Sequence, residues 1–174
     1  MIGYMNIEEQ VDVDFTRAVR RSFVHRVGAR LRRKPSSSLA PSFEDAARSM
    51  GARNKLRLGR RVVAVDEVVG SVGRSRDFDG NFLPIRRGMQ ERWKRVDKAF
   101  HLGVDLPPVV LYKLAESYYV VDGNHRVSVA RFQGVRWIEA EVTRVYVGKQ
   151  CAASSDLGAV VDQDTENTLQ PTAA

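Results

Sequence analysis

A chain of 174 residues with 43% hydrophobic content is long enough to bury one core, so a single domain with appendages is expected. Its net charge of +7 points to polyanionic partners, and its single cysteine, Cys151, excludes an internal disulfide and any multi-cysteine metal site. No apolar run approaches the roughly 18 residues of a membrane span, and residues 1–14 lack the apolar stretch of a signal peptide. A cytoplasmic protein with no membrane partner is the expectation.

Residues 1–41 read as a basic N-terminal helix and linker. From Asp14 to Lys34, Phe15, Val19, Val27 and Leu31 recur in steps of four with Phe23 between, and Pro35 is the first breaker. Eight cations on this helix face only Asp14, the pattern of an arginine-rich helix laid along nucleic-acid phosphates. Arg17, Arg20, Arg21, Arg30, Arg32 and Arg33 are the candidate contacts. The competing reading is a solvated face whose arginines pair with acids elsewhere. Over residues 14–61 as a whole, fourteen Lys and Arg stand against Asp14, Glu44 and Asp45, so this region is the expected nucleic-acid footprint. Pro35 to Pro41 is a linker by composition, which leaves the N-terminal helix able to move relative to the core.

Residues 42–148 read as the domain proper. Ser42 and Asp45 look like an N-cap opening a short helix to about Met50, and the basic, glycine-punctuated residues 51–61 read as a loop leading into a strand at Val62. Gly70-Ser71-Val72-Gly73-Arg74 reads as a loop bearing Ser71 and Arg74, with Arg76 just beyond it. Met89, Trp93, Val96 and Phe100, spaced four, three and four, predict an amphipathic helix from about Gly88 to Leu102, with Trp93 in the core and His101 at the helix end as a dipole partner. Leu106–Tyr112 and Tyr118–Val121 predict a hairpin, and Trp137–Val147 a further strand. Residues 149–174 are polar and read as a disordered tail. Together these give an α+β fold: a small mixed β-sheet with flanking helices.

The richest stretch runs from Tyr118 to Gly134. An apolar strand meets Asp122-Gly123, where glycine takes positive φ freely, and a helix of about ten residues follows with Asn124 as the natural N-cap and Gly134 as C′. A helix start offers unpaired N–H groups and about half a positive charge, and His125 and Arg126 add donors there. Cations in a first turn cost about 0.3–1 kcal/mol, which an anion would offset. The alternative is a solvated first turn in which Arg126 pairs with Asp122.

The Gly123-Asn124-His125-Arg126 turn resembles that of the ParB N-terminal and sulfiredoxin superfamily. Val62 to Phe78 is similar to its opening strand and Arg-bearing loop, Leu106 to Lys113 to the strand before the signature hairpin, and Trp137 to Val147 to its closing strand. The resemblance implies a ParB/sulfiredoxin-like fold, with Gly123, Asn124, His125 and Arg126 holding nucleotide phosphates and Arg74, Arg76 and Ser71 reaching them from the other loop. Sulfiredoxins carry cysteine where this chain has Asn124, and an amide cannot attack a phosphate or sulfinate, so that activity is not expected. Partition ParB proteins carry Gly-Glu-Arg-Arg, of which Gly123 and Arg126 remain. Because the residues after the motif are polar, a helix-turn-helix is not expected there, and Glu166 to Gln170 in the tail lacks the setting of a nucleotide motif.

The resulting expectation is a nucleotide-phosphate-binding regulatory module, taking a nucleoside triphosphate or diphosphate with or without Mg²⁺ and associating with DNA or RNA through residues 14–61. Asp122 is the candidate Mg²⁺ holder, through water, and a homodimer is compatible with this reading. The alternative is a phosphotransferase or nucleotide hydrolase with Glu67 or Asp77 as base. A nuclease ranks third, because clustered metal-binding carboxylates are not evident in the sequence.

Overall fold

The computed structural model describes residues 6–31 and 39–147. Four helices, α1 (Ile7–Leu31), α2 (Phe43–Ser49), α3 (Gln90–His101) and α4 (Asn124–Phe132), accompany one sheet. Its strands are β1 (Ala52–Ala64), β2 (Val68–Ser71), β3 (Val109–Leu114), β4 (Ser117–Asp122) and β5 (Trp137–Val147). Their order is β1-β5-β3-β4-β2, with β1–β5 and β3–β4 antiparallel and β3–β5 and β2–β4 parallel. The expected α+β class and mixed sheet are what the chain forms.

Central strands carry the apolar residues. Val109, Leu111 and Val120 are fully buried and meet Phe78, Val127 and Ala140 in the main core. Each such side chain contributes roughly 1.5–3 kcal/mol by leaving water. The β3–β4 hairpin closes through Ala115-Glu116 between the paired residues Leu114 and Ser117, with Ala115 at φ 52°. Arg131 ties α4 to the sheet edge, its Nη2 donating to the carbonyls of Val65 and Val68, both at 2.8 Å.

Residues 52–61 correct the expectation of a loop: they belong to β1, which pairs with β5 from Ala52–Val147 to Ala64–Trp137. Their sequence hid this because β1 is an edge strand with most of its side chains in water, so burial imposes no alternation on it. Arg53, Lys55, Arg57, Arg60 and Arg61 are all exposed there. Charge on an edge blocks further strand pairing, so part of the cationic excess has an architectural use. Arg57 also pairs with Glu141 of β5 at 3.0 Å.

The N-terminal helix differs from expectation in two respects. It begins at Ile7, and its buried face runs through Val11, Phe15, Ala18, Ser22 and Ala29, while Phe23, Val27 and Leu31 stay exposed. Of the bulky recurrence, Phe15 and Val19 face the domain, and small residues make the rest of the close approach. Phe15 and Ala18 pack with Trp93 of α3 and Val129 of α4, the Phe15 and Trp93 rings 5.6 Å apart. Lys94 and Lys98 of α3 pair with Asp12 and Glu8. These contacts seat α1 on the domain, against the expectation that a linker would leave it able to move.

Other expectations hold closely. Ser42 caps α2 by accepting from the Asp45 N–H at 3.3 Å, and Trp93 is wholly buried in α3. The connection into α2 is stitched down, with the Ala40 N–H donating to Phe78 and the Ser71 N–H to Pro41. Arg32, Arg33, the linker residues 35–38, Cys151 and the whole 149–174 tail lie outside the described residues. No described helix is long and apolar enough to cross a membrane.

Candidate anion-binding site

Strand β4 ends at Asp122 and α4 begins at Asn124, so a single residue makes the turn. Gly123 holds the N-cap position at φ 97°, ψ 24°, which corrects the assignment of Asn124 to that role. No side-chain cap is made. A Cβ at Gly123 would lie 2.7 Å from Val109 Cγ1 and 3.0 Å from Arg126 Nε, so both the dihedral and the space demand glycine. Asn124 is carried inward instead, 7% exposed, and its Oδ1 has no hydrogen-bond partner among the described residues.

A cleft of about 430 Å³ opens at this turn. Arg74, Arg92, Arg95, Asn124, His125 and Arg126 wall it, together with Val96 and the Val121 to Gly123 backbone run. Among the described residues, Arg92 and Arg95 take part in no ion pair, and both are exposed. Arg74 stands 3.8 Å from Asp77, a loose pair. Of the cleft walls only Asp122 is acidic, and Arg126 already neutralises it at 2.7 Å.

His125 is the electrostatic gauge of this cleft. Its ring stands edge-on to Phe78 with centroids 5.8 Å apart, and its Nδ1 is buried without a partner among the described residues. Burial lowers its pKa, the charges of Arg74 and Arg92 lower it further, and Asp77 acts the other way. The imidazole is therefore held neutral at pH 7 beside guanidinium groups.

Arg126 has a structural employment. Its side chain is only 14% exposed; Nη1 donates to the carbonyls of Pro107 and Pro108, the second at 2.9 Å, and Nη2 donates to Asp122. Asp122 is correspondingly engaged, although 74% exposed, and makes a poor Mg²⁺ holder while that pair stands.

The remaining sequence candidates distribute as follows. Ser71 corrects its loop assignment: it ends β2, paired with Val120, is fully buried with its hydroxyl 3.4 Å from the carbonyls of Val72 and Val120, and does not wall the cleft. Arg76 is exposed and also outside the cleft walls. Glu67 ends the 3-10 turn Val65–Glu67 away from those walls, and Asp77 is engaged with Arg74. Asp79, close in sequence to Arg74 and Arg76, is fully buried and accepts the N–H groups of Asn81 at 3.0 Å and Leu83 at 2.8 Å. Arg17 lies 3.7 Å from Asp14, and the Arg21 guanidinium covers the Phe132 ring at 5.0 Å. Arg20 and Arg30 are exposed.

Arg92 and Arg95 are the site residues that sequence reasoning passed over. Their signal was present: two arginines three apart, each beside a residue of the apolar stripe, Trp93 and Val96, must border one side of the helix face that meets the core. What the sequence lacked was the knowledge that α3 crosses the start of α4.

No family model and no curated protein matches this chain. Among solved structures, a sulfiredoxin from Arabidopsis thaliana is similar at 14% identity, over 48% of this chain and 82% of that one, with a TM-score of 0.36. A likeness of this size carries no statement about activity. Fold and site thus define an α+β protein with a cationic cleft at a strand-to-helix turn.

Proposed function

We propose that the cleft at the start of α4 binds the phosphates of a nucleoside di- or triphosphate, and that the chain is a regulatory binding module which also engages nucleic acid through its basic region. One observation carries the reading: Arg74, Arg92 and Arg95 converge with a helix N-terminus on a cleft whose single carboxylate is already neutralised. Guanidinium forks match phosphate oxygens in pairs, and the helix start supplies backbone donors. Asn124 Oδ1, buried and unpaired, adds an acceptor for a ligand hydroxyl or amine.

Binding is favoured over phosphoryl transfer because neither candidate base, Glu67 or Asp77, is among the residues that wall the cleft. Phosphoryl transfer needs a group that takes the nucleophile's proton. Any Mg²⁺ would arrive with the nucleotide, since Asp122 is committed to Arg126. For nucleic acid, the exposed Arg20 and Arg30 of α1 support the footprint, whereas Arg53 to Arg61 serve at least partly as edge protection.

Calorimetric titration with CTP, ATP, GTP and ADP, with and without Mg²⁺, tests the nucleotide reading. Binding that is lost in an Arg92→Ala, Arg95→Ala double variant supports it. No binding by any of the four at millimolar concentration ends it.

A further inference from the structure

A second cluster of titratable groups lies on another face of α3 and is independent of the nucleotide reading. We propose that Asp14, Asp97 and His101 form a divalent-metal site, of the Zn²⁺ class, that fastens α1 to α3. Asp97 and His101 are four apart on α3 and so project from one side of it, and Asp14 arrives from the middle of α1. Their donor atoms all lie within 4.8 Å of one another.

Both distances from His101 suit a tetrahedral ion. His101 Nε2 is 3.0 Å from Asp14 Oδ2 and 3.7 Å from Asp97 Oδ2. Bonds of about 2.0–2.1 Å to a tetrahedral zinc place neighbouring ligand atoms about 3.3 Å apart, between those two values. An imidazole nitrogen with two carboxylate oxygens suits Zn²⁺ and its transition-metal neighbours better than Mg²⁺ or Ca²⁺, which prefer all-oxygen shells.

An independent sign of a missing partner is Asp97 itself. It is fully buried, and its Oδ2, turned toward His101, has no hydrogen-bond partner among the described residues. A buried carboxylate oxygen without a donor is costly, and a cation would remove that cost. The outer oxygen of Asp97 is already held, since Gln133 Nε2 donates to Asp97 Oδ1 at 2.7 Å, and on the other side Gln10 Nε2 donates to Asp14 Oδ2, the oxygen that faces His101, at 2.9 Å. Amide donors of this kind orient metal-bound carboxylates.

Charge points the same way. Two buried carboxylates face one imidazole, with Arg17 3.7 Å from Asp14 Oδ1 and itself mostly in water. A dication with a neutral His101 balances them. The competing occupant is a proton, since burial raises the Asp97 pKa. His101 is 27% exposed, which gives an ion a way in. Bound there, the ion would link α1 to α3, and through Gln133 to the end of α4.

The test uses the full chain carrying Cys151→Ser, freed of metal by chelator and titrated with ZnCl₂ and CoCl₂. Expected are one equivalent bound, visible absorption of tetrahedral Co²⁺, and a thermal midpoint raised by Zn²⁺. His101→Gln and Asp97→Asn should each weaken Zn²⁺ binding at least about tenfold and abolish the midpoint shift. If Asp97→Asn does not fold, His101→Gln, at the more exposed ligand, carries the comparison. No Zn²⁺ binding below millimolar, or affinity unchanged in His101→Gln, overturns the site and leaves a proton as the occupant.

Discussion

Arg126 reaches back over the turn that precedes it to donate to Asp122 at 2.7 Å, while its other terminal nitrogen donates to two successive carbonyls, Pro107 and Pro108. This one guanidinium therefore fixes the segment before β3, the end of β4 and the first turn of α4 together. The arginine that a motif reading assigns to phosphate is largely engaged in holding the site's shape, and under the proposed function Arg92 and Arg95 are the guanidinium groups assigned to the ligand.

The two roles separate by substitution. Arg126→Ala strips three partners of their donor and should lower stability by about 1–3 kcal/mol in urea unfolding. The Arg92→Ala, Arg95→Ala pair, on exposed positions, should change stability by less than about 0.5 kcal/mol per site yet weaken ADP binding about tenfold or more. Equal loss of stability in both would show that the division of labour is wrong.

His125 makes stability depend on pH with a definite sign. Its pKa in the folded chain lies below the ordinary 6.5, so the unfolded state takes up the proton first. Its contribution is complete above about pH 6.5 and is lost as pH falls toward and through the folded value. Denaturant midpoints measured from pH 8 to 5 should decline, and His125→Gln should flatten part of that decline. A bound anion offsets Arg74 and Arg92, so NMR titration with ADP should move the His125 pKa upward.

Ala115 stands at φ 52° in the two-residue β3–β4 turn, at the position where such a hairpin favours glycine. A left-handed conformation costs an L-residue about 1–2 kcal/mol, partly offset by the greater freedom glycine loses on folding. Ala115→Gly should therefore raise stability by about 0.5–1 kcal/mol in thermal or urea unfolding. The reverse logic applies at Gly123, where Ala would meet Val109 as well as the dihedral.

Salt dependence checks the nucleic-acid footprint. Deleting α1 would uncover Trp93, so charge removal is the cleaner instrument. Arg20→Gln with Arg30→Gln, both exposed, should leave folding intact and reduce the slope of log K against log salt on duplex DNA. About 0.9 is lost per phosphate contact removed. An unchanged slope would assign those arginines to plain solvation.

Much of the fold was legible because local rules and burial agreed. Trp137 to Val147 alternates and is β5; Trp93 sits at a stripe position and is wholly buried; Ser42 caps α2 as its residue type suggests. Where burial did not act, the sequence carried no pattern. Strand β1 shows charge and glycine because it lies at an edge in water, and only its ladder to β5 makes it a strand. On α1 the bulky stripe marked the packed face at Phe15 and Val19, but Phe23, Val27 and Leu31 drift into water and Ala18, Ser22 and Ala29 lie inside.

The chain's own order determined the strand, the glycine that must turn at Gly123, and the helix that follows, since these depend on residues adjacent in sequence. Tertiary structure decided which side chains share the cleft, and which share the Asp14, Asp97 and His101 cluster. Arg74 and Arg92 meet His125, and Asp14 meets His101, only after a sheet and two helix crossings bring distant segments to within a few ångströms. Electrostatic and ligating chemistry falls off over such distances, so it belongs to the folded arrangement and not to spacing along the chain.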